Sequence, residues 1–485
     1  MTKYLPIKFL ISTVFLSLYF TVQSSAQVSS QIEHIIETSQ ARNAFWVVQV
    51  RDSSGFVLED LNGEKLVRPA SNLKLVSSGA FLELLGPDYT FKTKLFGRGY
   101  QDGDRWRGDL VVKGSGDPSI NGDFYDDPLF LFEEWFSILD SLGITQIDGN
   151  IVAFDGLFDD VPYPRGWEWD DLSYYYAPEI NALSFNSNVV NLEVRADGPI
   201  GSVPSIQWSP FNTPYVEFIN EQIITPPTTR FNESYRRILG TNTIILRSTL
   251  PRGYYETEPL SIMSPSLFFI DTFKRYLELS EIRVRGQLLI DRDYYNWQEE
   301  NLVLIAQHES RPLYEMIRWL NQESDNFFSE MLTKTLATEV YNTQGSTDLG
   351  LQAIKEFMHS TGFDTLNVSL RDASGMAPAT ILNGSDLNRY LINIKDKPWF
   401  GYLYDSLSIG GLNGTLGHRF RNSSFNQQFY GKSGFVSGVR SLTGYLDTKS
   451  GQRVAVTIVT NNYTARTANV DWVHERILDY IYNGY

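Results

Sequence analysis

The sequence predicts an α+β protein of several domains: helices around an antiparallel sheet, with two smaller, mainly β domains inserted. Three observations carry this. At 485 residues the chain exceeds what one hydrophobic core usually organises. Helical and strand patterns occur together near both ends, which suggests one domain assembled from both. Between them, "FEEWFSILDSLGITQIDGNIVAFD" (132–155) and "FIDTFKRYLELSEIRVRGQLLID" (269–291) share one plan: amphipathic helix, short turn, then a strand with Ile/Val-x-Gly, at Ile147 to Gly149 and Val284 to Gly286. Two such units would pair within one small domain and leave the chain between them as a further insertion.

The expected division is therefore a main domain over 27–95 and 299–485, a first inserted domain over 96–155 and 256–298, and a nested one over 156–255. The elements follow in order. "AFWVVQVRDSSGFVLED" alternates as a hairpin does, with its turn at Ser53-Ser54-Gly55. After Pro69 the apolar positions recur at helical spacing until Gly86 and Pro87 stop them. "YTFKTKLFGRG" and "WRGDLVVKGSGDPS" read as strands. The nested stretch, rich in Pro, Tyr and Asn, carries the strand-like runs "NVVNLEVRA" and "NTIILRSTL". From Arg311 come the helix "RPLYEMIRWLNQ", the break "ESDN" and the helix "FFSEMLTKTLATEV", and the last third adds "SLTGYLDT", "RVAVTIVTN" and the amphipathic "NVDWVHERILDYIYN".

Composition narrows the function. A formal charge of -16, with no basic run, argues against affinity for nucleic acid or an anionic membrane. The first residues, with Lys3 and Lys8, an apolar run from Phe9 to Val22 and Ser24-Ser25-Ala26, form the pattern of a cleaved secretory signal over 1–26 and predict export. Left uncleaved, the same run would tether the chain, so peripheral membrane association stays open. With no Cys there is no disulfide and no lipidated cysteine. The five His are scattered, and no two stand three to five apart, so no metal is expected.

Three short motifs carry chemistry. Ser71 and Lys74 stand three apart at a helix start, on one face and one turn from each other. A serine hydroxyl becomes a nucleophile when a base takes its proton, and a partly dehydrated lysine is such a base. A helix N-cap followed by a surface lysine has the same letters, but Lys74 is the only Lys with Ser three positions before it. Ser324-Asp325-Asn326 falls in the break between two helices; it could present side chains to a cleft, or simply cap the second helix. Lys-Ser-Gly occurs twice. Lys449-Ser450-Gly451 lies between two strand runs and reads as a hairpin turn, whereas Lys432-Ser433-Gly434 leads into Phe435-Val436 and reads as a strand edge facing a pocket.

Ser-x-x-Lys, Ser-Asp-Asn and Lys-Thr-Gly are the motif set of β-lactamases and penicillin-binding proteins, and all three occur here in that order, with Ser433 for Thr. The long interval from Ser71 to Ser324 resembles the type-4, class C low-molecular-mass penicillin-binding proteins, the serine D-alanyl-D-alanine carboxypeptidase/endopeptidase family, in which two domains are inserted between the first two motifs. "GDLVVKGSGDPS", "YYYAPEINALSFNSNVV", "RPLYEMIRWLNQESDN", "LRDASGMAP", "GGLNGTLGHRF" and "GKSGFVSGVRSLTGY" also look like family segments. The resemblance implies a penicillin-binding, transpeptidase-like fold in a periplasmic hydrolase. Peptidoglycan stem peptides would be its substrate and β-lactams its covalent inhibitors, with no cofactor. It implies Ser71 as the acylated nucleophile, Lys74 as its base and Ser324 as a proton relay. Asn326 would hold the substrate amide, and Lys432, Ser433 and Gly434 would form the strand that binds the terminal carboxylate. The N–H groups of Ser71 and Phe435 would form the oxyanion hole. It further implies that Trp167 and Asp170 line the cleft, with Asp170 meeting the amino group of a diaminopimelyl residue.

Two positions depart from the family pattern. Asn413 stands where Asp is common, and Met376-Ala377-Pro378-Ala379 replaces a Ser-Arg segment that would contact the peptide. Two alternatives compete with the peptidase: a β-lactamase, for which a Glu-x-x-Leu-Asn segment is missing and Asp364-Thr365-Leu366-Asn367 is the nearest, and a catalytically inactive wall-binding module.

Overall fold

The computed structural model describes residues 28–211 and 213–485, so the expected export signal lies outside the described residues. The chain opens with α1 (Ser30–Glu37) and the hairpin β1 (Phe45–Arg51) and β2 (Val57–Leu61), then a 3-10 turn over Ala70–Asn72 leads into α2 (Leu73–Leu84). It then leaves this region through β3 (Lys92–Asp102), β4 (Arg105–Lys113), α3 (Phe130–Ser141), β5 (Gln146–Ile147) and β6 (Ile151–Phe154). Next come β7 (Val189–Arg195), β8 (Ser205–Ser209), β9 (Tyr255–Ser261), α4 (Pro265–Leu279), β10 (Arg283–Val284), β11 (Leu288–Asp291) and β12 (Val303–Glu309). It returns as α5 (Leu313–Gln322), α6 (Asn326–Tyr341), α7 (Thr347–Ser360), α8 (Gly384–Asn393), β13 (Ser408–Ile409), β14 (Phe429–Val436), β15 (Val439–Asp447), β16 (Arg453–Asn461) and α9 (Thr467–Gly484).

The first sheet is antiparallel throughout, in the order β2-β1-β16-β15-β14-β13, so the two ends of the chain close one sheet. β16 reads as an almost unbroken apolar run because both of its faces are covered. Ile32 of α1 and Ile477 and Ile481 of α9 share a core with Val456 and Ile458 on one side. On the other, the Thr457 hydroxyl donates to Asn388 of α8, whose amide donates to the Gln49 carbonyl of β1.

The second sheet is mixed. β10-β5-β4-β3-β12 form its main path, with β6 beside β4 and β11 beside β6. The two repeated units are hydrogen-bonded to each other in parallel, β5 to β10 and β6 to β11. Their helices meet over the sheet, Phe132 of α3 standing edge-on to Phe269 of α4 at 5.1 Å and Trp135 to Phe273 at 5.4 Å. This region is therefore built from strands and two packed helices together. Beside it lie the sheet β9-β7-β8 and small pairings within 217–251.

Strand pairing does not respect the divisions drawn from sequence. β3 begins at Lys92 and β12 ends at Glu309, so one sheet crosses the expected boundaries after residues 95 and 298, and β9 pairs with β7 across the one after 255. Local patterning marks where a strand starts, but its partners are set by distant chain.

Candidate active site

Ser71 sits in the single 3-10 turn ahead of α2, at the point where that helix meets the first sheet. Two close approaches hold the turn. Ala70 takes a positive φ of 48°, costly for a residue with a Cβ. The Ser441 hydroxyl of β15 donates to the Pro69 carbonyl at 2.7 Å, tying the turn to the sheet. Gly434 of β14 and Gly375 explain why glycine is needed on either side. A Cβ on Gly434 would lie 2.3 Å from Ser441 Oγ and 3.0 Å from Ala70 Cβ, and one on Gly375 would lie 2.0 Å from the Ala70 carbonyl oxygen.

Lys74, one turn into the helix, is completely buried. Its Nζ lies 3.0 Å from Ser71 Oγ, 2.6 Å from Asn326 Oδ1 and 2.9 Å from the Ser374 carbonyl oxygen. Burial pulls its pKa down to about 8, against the opposing pull of Asp372, Glu330 and Asp325. A neutral amine has two N–H groups and one lone pair. With Asn326 Oδ1 and the Ser374 carbonyl taking the two N–H groups, the lone pair is left for the Ser71 hydroxyl.

Asp325 caps α6 by accepting from the Phe328 N–H at 3.0 Å, and Ser324 just before it has a positive φ of 63°. The cap and the cleft readings of this motif are therefore both met. Asp325 caps, while Ser324 and Asn326 line the cleft beside Ser71. Asn326 also donates to the Tyr176 carbonyl at 2.8 Å, so one amide links Lys74 to the inserted region.

The two Lys-Ser-Gly copies separate cleanly. Lys432 and Ser433 lie on β14, beyond the short pairing with β13, while Lys449 and Ser450 are exposed in the turn between β15 and β16. Lys432 Nζ is buried and donates to the Ser433 carbonyl at 2.9 Å. Burial first, then Lys74 and Arg440, pushes its pKa well below the ordinary lysine value. Ser433 Oγ donates to Thr415 Oγ1 at 2.7 Å. Phe435 is 55% exposed at the cleft rim, with the Arg440 guanidinium 5.7 Å from its ring centre. Asn413 accepts from the Ile409 N–H at 2.7 Å and so fixes the turn carrying Thr415.

These groups border a cleft of about 1050 Å³, whose lining runs from Ser71, Ser324, Asn326, Met376 and Phe435 to Glu168, Asp171, Tyr175 and Tyr176 of the inserted region. Lys74, Lys432 and Ser433 stand behind that lining.

Trp167 and Asp170 are placed differently from expectation. Asp170 is exposed and outside the cleft lining; the carboxylates of that segment facing the cleft are Glu168 and Asp171. The register shifts by one because the 3-10 turn Asp171–Ser173 starts there, and the Tyr176 hydroxyl holds Asp171 Oδ1 at 3.1 Å. Partial burial raises the Asp171 pKa. Trp167 stands behind the lining, where its indole N–H donates to Asp372 Oδ2 at 3.2 Å.

Two residues that the motifs did not single out complete the site. Buried Asp372 accepts from the Met376 and Ala377 N–H groups and from the Ser374 and Thr380 hydroxyls, shaping the loop that offers its carbonyl to Lys74. Glu330, one helical turn beyond Asn326, accepts from the Ala373 and Ser374 N–H groups. Its i, i+4 spacing from Asn326 was the available signal.

Comparison with known proteins bears on family and fold. The model of the D-Ala-D-Ala carboxypeptidase 3 (S13) family matches residues 25–475. A D-alanyl-D-alanine carboxypeptidase of Actinomadura sp. (strain R39) is 26% identical over 94% of this chain and 85% of its own. The D-alanyl-D-alanine carboxypeptidase DacB of Haemophilus influenzae is 24% identical over 84% of this chain and 83% of its own. The crystal structure of penicillin binding protein 4 from Haemophilus influenzae superposes with a TM-score of 0.81 at 21% identity, covering 93% of this chain and 99% of that one, and so shares its fold. With the family model matched along almost its whole length, this chain belongs to the D-Ala-D-Ala carboxypeptidase 3 (S13) family and is a serine-type peptidase.

Proposed function

We propose that the protein removes the terminal D-Ala of peptidoglycan stem peptides, and opens D-amino-acid cross-links, through an ester formed on Ser71. The observation that carries this is the buried Lys74 Nζ, 3.0 Å from Ser71 Oγ with its other two hydrogen-bonding directions taken up. Neutral Lys74 takes the hydroxyl proton as Ser71 Oγ attacks the carbonyl carbon. The N–H groups of Ser71 and Phe435 stabilise the oxyanion. The scissile C–N bond then breaks, the leaving amine receives a proton by way of Ser324, and water releases the acyl group. Asn326 holds the substrate amide, and Lys432 and Ser433 hold the terminal carboxylate. A carboxylate arriving beside Lys432 supplies counter-charge that offsets the burial holding its pKa down.

Asp171, with Glu168 beside it, takes the part first assigned to Asp170 and meets a free amino group on the third stem residue. The main domain joins both chain ends, with the two insertions running from about β3 to β12. The names of the relatives, which include a peptidoglycan endopeptidase of Bdellovibrio bacteriovorus at 15% identity and TM-score 0.50, support a peptidoglycan substrate and an extracytoplasmic site of action, here the periplasm. A penicillin-binding protein 4 complexed with a β-lactam supports binding of such drugs. Incubation of the purified protein with an acylated D-Ala-D-Ala peptide is expected to release free D-Ala and, with penicillin, to give a long-lived adduct. Absence of both products would refute the reading, and rapid turnover of penicillin without D-Ala release would favour a β-lactamase.

A further inference from the structure

The face of α6 that approaches Lys74 carries two polar groups one turn apart. Asn326 touches Lys74 Nζ directly. Glu330, 1% exposed, does so at one remove. Its Oε1 accepts from the Ala373 N–H at 3.0 Å and the Ser374 N–H at 2.9 Å, and the carbonyl of that same Ser374 accepts from Lys74 Nζ at 2.9 Å. Its Oε2 is buried with no hydrogen-bond partner among the described residues. An amide or a water-bridged hydroxyl would satisfy two converging N–H groups without placing a carboxylate in the core. A buried carboxylate with one oxygen unpaired is costly, and a nearby cation offsets that cost.

Resting on the assignment of Lys74 as the base, we propose that Glu330 is a positioning residue for that base: it aims the Ser374 carbonyl at Nζ and supplies the negative charge that stabilises the ammonium formed when Lys74 takes the Ser71 proton. Charge matters here because proton transfer creates a cation in a dehydrated site. Burial, followed by Asp372, raises the Glu330 pKa to about 8, so Glu330 is mostly protonated at neutral pH and gains its charge over the same range in which Lys74 becomes the neutral base. The other charged groups facing the pair are Asp325 and Asp372 beside Lys74, Lys432 from β14, and Lys334 with its partner Asp159. All of them persist when Glu330 alone is changed.

The test is the rate of acylation by a fluorescent penicillin, followed from about pH 6 to 10 in the full-length protein. Glu330→Gln keeps an acceptor for both N–H groups and removes the charge. Its rising limb is expected about one pH unit below that of the wild type, with a plateau several-fold lower, because Lys74 becomes easier to deprotonate and a weaker base. Glu330→Asp keeps the charge but draws the carboxylate back by one methylene. It is expected to leave the limb near its wild-type position while the plateau falls, which also decides the matter if Glu330→Gln does not fold. A limb that stays put in Glu330→Gln, or a plateau unchanged in Glu330→Asp, overturns the proposal for Glu330. Failure of the wild type to be acylated overturns instead the assignment of Ser71 and Lys74.

Discussion

Residues 432–434 and 449–451 spell the same Lys-Ser-Gly, yet they have almost nothing else in common. In the first, the lysine is buried, the serine bonds to Thr415, and the glycine lies so close to its neighbours that a Cβ would collide with Ser441 of β15 and press on Ala70 of the Ser71 turn. In the second, all three residues are exposed, and the glycine has a φ of 85° with open space where a Cβ would be. Glycine is thus needed for proximity at one site and for a turn at the other. What separates them is the neighbourhood. The first copy runs along a strand that continues past its short partner toward a helix start, and the second closes a two-strand turn.

The widest separation is expected between the lysines. Lys432→Ala should lower acylation by penicillin on the order of a hundredfold, since on the proposed function it removes the charge that meets the carboxylate in a dehydrated site. Lys449→Ala should leave the rate unchanged, and equal losses would mean that the two regions do not differ as described. The glycines sharpen the contrast. Gly434→Ala should push the Ser71 turn aside and slow acylation by roughly tenfold or more. Gly451→Ala should cost about 1 kcal/mol of stability, read from the denaturation midpoint, with no change in acylation rate, because only backbone strain is at stake.

The buried region should also reveal itself by pH. Lys74 must be neutral to accept the Ser71 proton, and burial brings its pKa to about 8, so the acylation rate should rise with pH through a midpoint near that value. A rate flat from pH 6 to 9 would contradict the base assignment. The smallest effect is expected at the far end of the cleft. Asp171→Asn should slow hydrolysis of a peptide bearing a free amine by about 1 kcal/mol in barrier and leave acylation by penicillin untouched, while Asp170→Asn should change neither. A loss confined to Asp170→Asn would restore the original register.

These contrasts also show how far the sequence could be read. That Ser71 and Lys74 come together was legible because they stand one helix turn apart, and that Ser324 and Asn326 come beside them was legible only as a break between two helices. The pairing of the two αβ units was legible because the plan repeats. The one-residue shift from Asp170 to Asp171 was not, since it depends on where a 3-10 turn begins and on the reach of Tyr176. Glu330 and Asp372 are hidden from the sequence for a related reason. They act through the backbone of residues 373–377, and nothing in "NFFSEML" or "LRDASGMAP" reveals that the two segments touch. The sheet crossing the drawn boundaries belongs to the same class, because strand partners are chosen at long range.

On the proposed function, Ser71, activated by Lys74, is the residue that becomes acylated. The most direct test is to react the purified protein with penicillin, digest it, and locate the adduct by mass spectrometry. The added mass is expected on the peptide containing Ser71, with none on a folded Ser71→Ala protein. An adduct on Ser324 or Ser433, or one that survives Ser71→Ala, would contradict it.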